Sequence, residues 1–204
     1  MKRTPRQRRG KGEPLPRAAR PTRPPADRSP LGIRVRVFPA STALATVVRR
    51  AVRVTLARHG VKRARVHVAI VSDRQMATWH RRYMGISGPT DVLTFDASEE
   101  ESSDGPGDGW EIEGDIAVSR DTAAREARRR GHSSYAEVCL YAVHGVLHLL
   151  GYDDGSPVAA NRMHDIEDDV LGFLGHGAVF RGASVKGIPL GRARGGRGQP
   201  PRRR

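Results

Sequence analysis

Between residues 31 and 174 apolar positions recur with two periods, one of two residues and one near 3.6. LGIRVRVF sets Ile33, Val35 and Val37 against Arg34 and Arg36, the alternation of a strand buried on one face. Ser41 or Thr42 can cap a helix that runs to His59 and stops at Gly60. ARVHVAIV, Ala64–Val71, reads as a second strand. Ser72 or Asp73 then starts a second helix, DRQMATWHRRY, ending near Gly85. Gly88 and Pro89 turn the chain into a third strand, DVLTFDA, and EGDIAVS is a fourth. A helix around DTAAREARRR follows, with Ser119 or Asp121 as its N-cap and Gly131 as its end. Ser133 or Ser134 opens a strongly apolar helix that stops at Gly151, and Pro157 opens a last one through Leu171. The order is strand, helix, strand, helix, two strands, three helices. It predicts an α+β domain: a small mixed four-stranded sheet covered by helices, with the apolar helix in the core.

The ends break this pattern. Residues 1–30 mix Arg, Pro and Gly with almost no large apolar side chains, and residues 177–204 are rich in Gly and Arg. Neither buries enough to offset the entropy of ordering, so both are predicted to be disordered tails around a domain at 31–176. Ser98 to Gly109, acidic and rich in Gly and Ser, reads as a mobile, solvated loop. Charge sharpens the division. The chain carries +14 at pH 7, yet residues 1–28 hold ten Lys or Arg against Glu13 and Asp27, and residues 181–204 hold eight against no acid. The middle is left slightly acidic, so the basicity belongs to the tails.

Cys139 is the single cysteine, so no disulfide forms within the chain, which fits a reducing compartment. Its place in the apolar helix predicts a small buried hydrophobe. No charged-then-apolar secretory leader is present, and the prolines before Leu31 oppose an amphipathic transit helix. No apolar stretch reaches the roughly 20 residues that span a bilayer. A cytoplasmic protein without a membrane partner is expected.

The apolar helix carries the candidate chemistry. His144 and His148 stand four apart, about 40° from each other around the axis and one turn along it. One metal ion can take both imidazoles. A lone histidine on such a helix is more often a hydrogen-bonded core residue. Two at this spacing, followed past Gly151 by Asp153 and Asp154, point to a ligand set with an open position for water. Spacing leaves Asp153 and Asp154 equivalent, with His164 in reserve. Gly145 follows the first histidine where a HExxH protease has its general-base glutamate, so that motif is excluded.

These residues also carry a resemblance. HGVLHLLGYDD resembles the metal-binding signature H-G-x-L-H-L-x-G-Y-D-H of the YbeY family, bacterial endoribonucleases that act as rRNA maturation factors. PTDVLTF, Pro89 to Phe95, is similar to the family's P-T-D-V-L-S-F, and GDIAVS, Gly114 to Ser119, to its G-D-I-x-I-S. Met163 to Leu171 resembles its M-x-x-x-E-x-x-x-L ending, and the likeness runs from about Ile33 to Leu174. Two positions depart from it. Asp154 stands where the family has a third histidine, and Met84 where a Y-R-x-K segment puts an arginine, with Arg81 and Arg82 nearby.

The resemblance implies one zinc ion per chain held by His144, His148 and Asp154, which would serve hydrolysis of single-stranded RNA. It further implies late 16S rRNA 3′-end maturation, ribosome biogenesis and the 30S subunit or ribosome as partner. An anionic Asp in place of a neutral His lowers the site's positive charge, so water there should be less acidic than in a three-histidine site. Asp91, Asp115 or Asp153 would share the proton transfers. Single-stranded RNA is held by positive channels and stacking aromatics. Trp79, Tyr83 and Phe95 are the aromatic candidates near the cleft, and Arg81, Arg82, Arg125 and Arg129 the cationic ones; Arg125, Arg128 and Arg129 share a helical face. Two other functions compete: a hydrolase of peptides or small esters, and an assembly factor with a structural metal and little nuclease activity.

With a nearly neutral middle, the tails should supply much of the nonspecific attraction to phosphate, GRARGGRGQPPRRR being similar to RGG segments. Removing both tails is expected to weaken binding of single-stranded RNA and flatten its salt dependence. A titration across salt concentrations that returns the full-length slope would refute this role.

Overall fold

The computed structural model describes residues 32–97 and 112–179. The first tail, the acidic loop and, from residue 180, the second tail named above fall outside the described residues. Within them the elements follow in the expected order: β1 (Ile33–Phe38), α1 (Thr42–Arg58), β2 (Ala64–Val71), α2 (Asp73–Met84), β3 (Val92–Asp96), β4 (Ile112–Ser119), α3 (Arg120–Arg130), α4 (Ser134–Leu149) and α5 (Pro157–Phe173).

A serine starts every helix. The side chains of Ser41, Ser72, Ser119, Ser133 and Ser156 accept the backbone N–H of Leu44, Gln75, Thr122, Ala136 and Ala159. Each capping serine keeps extended backbone while its oxygen reaches back to the third helical residue. Thr42, Asp73, Asp121 and Ser134, the other candidates, lie inside the first turns. Asp73 and Asp121 instead tie two helices together: Asp73 N–H donates to Asp121 Oδ2 at 2.9 Å, and Thr122 Oγ1 donates to Asp73 Oδ1 at 2.9 Å.

The sheet order is β1-β2-β4-β3, with β1 and β4 parallel to β2 and β3 antiparallel to β4 at the edge. Alternation then assigns the two faces. Val35, Val66, Val68, Ile116 and Val118 enter the main core with α1, α4 and α5. Ala69, Val71, Ala117 and Leu93 face the other way, beneath Met76 of α2. The packed chain also runs past the expected boundary at 176, because Val179 is buried in the main core.

α4 lies at the centre, touching α1, α3, α5, β3 and β4. From Ala136 to Leu149 every residue is buried except His144 and His148. Two glycines let this helix lie close on the sheet. A Cβ on Gly145 would stand 2.8 Å from Ile116 Cγ2 and 2.9 Å from Thr94 Oγ1. A Cβ on Gly114 of β4 would stand 2.6 Å from Leu149 Cδ2 and 2.9 Å from the Phe95 carbonyl oxygen. The residue after His144 is therefore small because it faces the sheet.

Two glycine-to-alanine changes should move stability in opposite directions. Gly172 lies on α5 with nothing within 4 Å of a built Cβ, so Gly172→Ala should stabilise by about 0.5–1 kcal/mol through helix propensity. Gly145→Ala gains the same propensity but overpacks a closed interface, a cost of about 1–3 kcal/mol, and should be destabilising overall. Denaturant unfolding of the two variants checks both signs.

Candidate metal centre

Four elements build the site around His144 and His148. His144 Nδ1 lies 2.7 Å from Oε1 of Glu167 on α5, a carboxylate that is 1% exposed. His148 Nδ1 lies 3.1 Å from the Tyr152 carbonyl oxygen. Both partners only accept, so each Nδ1 carries its proton and donates. A neutral ring then has a bare lone pair at Nε2. The two Nε2 atoms stand 2.9 Å apart, and lone pairs facing at that distance repel unless a proton or a cation lies between them.

Electrostatics treats the two rings differently. Burial opposes charge on His144, but the hydrogen bond and charge of Glu167, helped by Asp154 and Asp91, outweigh it and hold its pKa above the ordinary imidazole value. Burial, together with the charge on His144, pushes His148 below that value. Asp154 completes the group, with Oδ2 4.0 Å from His144 Nε2. One ligand atom from each of the three residues lies within 4.8 Å of the others, an arrangement that could hold a metal ion. The Asp154 side chain is 52% exposed, so the group is open to solvent on that side.

The chain after α4 makes this geometry possible. Gly151 adopts φ 86°, a left-handed turn that glycine takes without strain. Tyr152 N–H then donates to the Leu147 carbonyl at 3.0 Å, which brings the Tyr152 carbonyl beneath His148. The Tyr152 side chain is anchored as well. His59 Nδ1 donates to the Thr55 carbonyl at 2.7 Å, leaving Nε2 to accept the Tyr152 hydroxyl at 3.2 Å. Arg162 lies over the tyrosine ring, 5.3 Å from its centroid.

The other candidates are placed elsewhere. Asp153 Oδ1 accepts Gly155 N–H at 3.0 Å, and its charge reaches His148. Asp115 projects from the opposite face of the sheet, 3.0 Å from His67 Nδ1. Asp91 Oδ1 accepts from Val92 N–H at 2.8 Å, and its charge acts on both His144 and Tyr141. His164 sits half-buried on α5, outside the group. Burial pushes the Cys139 thiol up to about 12, as suits an inert packing residue.

Arg81 and Arg82 are exposed in the last turn of α2, whereas Arg125 is paired with Asp73 and Arg129 with Glu126. The aromatic candidates do not flank the histidines. Trp79 and Phe95 pack against the cluster under α2, and Tyr83 meets Phe95 edge-on at 5.0 Å. The cause is strand alternation: Thr94 faces α4, so Phe95 must face α2. Met84 joins the same apolar cluster.

Sequence reasoning met Glu167 only as the acid of the M-x-x-x-E-x-x-x-L likeness, with no role at the site, and did not single out the Tyr152 carbonyl. A signal for the first was present, since Glu167 is an acid on the stripe Met163, Glu167, Val170, Leu171 that α5 buries. Nothing in a sequence announces a main-chain carbonyl. Glu167→Gln keeps the shape but weakens the hold on His144, and should lower metal affinity about 10–100-fold. Competition against a chelator, with circular dichroism to follow folding, measures this.

A profile of the family described as endoribonuclease YbeY matches residues 35–175. A Roseiflexus castenholzii protein described as endoribonuclease YbeY is 39% identical over 145 residues, 69% of this chain and 91% of its own. A Moorella thermoacetica protein of the same description is 36% identical over 68% of this chain and 91% of its own. One from Frankia alni is 42% identical over 114 residues, and there the match spans 62% of the relative. A Thermotoga maritima protein solved in solution superposes on 69% of this chain with a TM-score of 0.49 at 22% identity. The profile covers most of the described chain, including both histidines, Asp154 and Glu167. The chain belongs to the YbeY family.

Proposed function

We propose that this protein is a zinc-dependent endoribonuclease acting on single-stranded RNA, with His144, His148 and Asp154 as the zinc ligands. The observation that carries it is the meeting of two Nε2 lone pairs at 2.9 Å, each ring fixed from behind by an acceptor at Nδ1. Two imidazoles and one carboxylate are a donor set that zinc uses in hydrolases. When bound, zinc would supply a Lewis acid that polarises a phosphoryl oxygen and lowers the pKa of water. Glu167 keeps His144 in the tautomer that presents Nε2, and the Tyr152 carbonyl does the same for His148. Asp154, on the open side, leaves room for an RNA strand to approach. Asp91 is fixed at the start of β3 with its charge felt at His144, and is the remaining acid placed to share proton transfers.

The YbeY relatives' description as endoribonucleases supports RNA as substrate. On this reading the chain acts in late 16S rRNA 3′-end maturation and ribosome biogenesis, with the 30S subunit or ribosome as partner, in the cytoplasm. No helix among the described residues is long and apolar enough to cross a membrane. A second reading, an assembly factor with a structural metal and weak nuclease activity, is favoured by one observation: Met84, at the position of the family arginine, is packed among apolar side chains.

His148→Ala is expected to lose stoichiometric zinc and cleavage of single-stranded RNA together, with no peptide turnover by either protein. Wild-type protein that takes up no transition metal, or a variant that cleaves RNA at the wild-type rate, would sink the assignment. Normal rRNA processing in cells carrying His148→Ala would favour the assembly role.

A further inference from the structure

α2 and the chain that follows it form an open hollow of about 230 Å³, lined by Ala77, Thr78, Arg81, Ser87 and Gly88. Ala77, Thr78 and Arg81 come from one face of α2. The second wall is held in place at both ends. Gly85 closes the helix with φ 70°, and His80 Nδ1 donates to the Gly88 carbonyl at 2.8 Å, clasping the connection to the helix. Gly88 itself has φ 95°, a conformation in which a side chain would be strained.

The chemistry of the lining selects the occupant. Arg81 is exposed and makes no hydrogen bond or ion pair through its guanidinium among the described residues, whereas Arg120, Arg125, Arg129 and Arg130 of α3 meet Asp121, Asp73, Glu126 or Glu137. The Ser87 hydroxyl is likewise without a partner there. The Thr78 hydroxyl donates to the Arg74 carbonyl at 2.9 Å and has only lone pairs left to offer. No carboxylate lines the hollow. A guanidinium fork beside a free hydroxyl suits an oxyanion, and phosphate above all. The volume lies below the roughly 300–1,000 Å³ of pockets that take drug-sized ligands, which fits a phosphate with its sugar.

Position links the hollow to the metal centre. From Gly88 the chain needs only three residues, about 10 Å at full extension, to reach Asp91. Asp91 is anchored where its carbonyl accepts Ser119 N–H at 2.8 Å, and its charge acts on His144. One strand passing round the β3 edge can occupy both places.

We propose that this hollow is a phosphate subsite for the RNA strand, engaging a backbone phosphate outside the cleaved linkage through Arg81 and Ser87. The proposal rests on the reading of the protein as an RNA-binding nuclease. Contact with backbone phosphate positions a strand without reading its sequence.

The test uses the full-length protein and a short, unstructured 2′-O-methyl RNA, with inorganic phosphate as a separate probe. Arg81→Ala should weaken RNA binding about tenfold, as expected for one charge-assisted contact. It should also reduce the slope of log affinity against log salt by about 0.7, the share of one phosphate on a single strand. Ser87→Ala, which removes no charge, should weaken binding without changing the slope. RNA should shift the amide resonances of Ser87 and Gly88. An unchanged slope in Arg81→Ala, or RNA that leaves those amides unmoved while inorganic phosphate shifts them, overturns the subsite. Zinc content and RNA cleavage by the wild type are measured on the same preparation. A protein that fails both yet shows the Arg81 slope change refutes the nuclease and leaves the subsite standing.

Discussion

Two imidazole nitrogens face each other across 2.9 Å, each with its proton committed to the far side of the ring. Such a pair needs positive charge between its members, and the surrounding architecture acts to keep the two rings from swinging apart. Glu167 reaches in from α5, and the Tyr152 carbonyl from the turn after α4. Tyr152 is in turn held by His59 at the end of α1 and by Arg162 of α5. Three helices and a glycine turn therefore share the orientation of two side chains.

The helix that carries the histidines is otherwise a core element, and its polar residues fall on one seam. Glu137, Tyr141, His144 and His148 are spaced four, three and four apart, one face of a helix over three turns. Glu137 is fully buried, with His132 Nε2 2.9 Å and Arg130 Nη1 3.7 Å from its carboxylate. Burial and the nearby Glu137 hold the Tyr141 hydroxyl well above its usual pKa, so it stays protonated. Burying an unpaired charge costs several kcal/mol; Glu137, His144 and His148 each meet a partner from outside α4, and Tyr141 meets Glu137 on the helix itself. The approach of the seam to the sheet depends on Gly145 and Gly114, where any side chain would meet Ile116, Thr94 or Leu149.

The sheet divides the chemistry of the molecule. On the α4 side lie the histidines, Asp154 and Glu167; on the α2 side lie the aromatics, Met84 and the His67–Asp115 pair. The connection from Gly85 to Asp91 passes from α2 to β3, from the exposed arginines of α2 toward the acid whose charge reaches His144.

Local signals determined much of this from the residues alone. Period-two and period-3.6 patterns gave four strands and five helices in the right order, because each pattern is written in consecutive residues. Gly85, Gly131 and Gly151 marked helix ends, since left-handed backbone there strains any other residue. The spacing of His144 and His148 put two rings on one helical face by geometry alone. What depends on distant chain was decided by packing. Sheet order is one case, with β3 outside β4 instead of beside β2. Another is the separation of Asp153 from Asp154, equivalent by spacing but divided when Gly155 N–H takes the first. Asp115 and Phe95 went to the far face because strand register, not sequence proximity, sets which neighbours a side chain meets. Glu167, 23 residues from His144, became its partner only when α5 folded back on α4. Tertiary structure decides such contacts because a hydrogen bond between side chains needs a separation near 3 Å, which sequence spacing does not fix for residues on different elements.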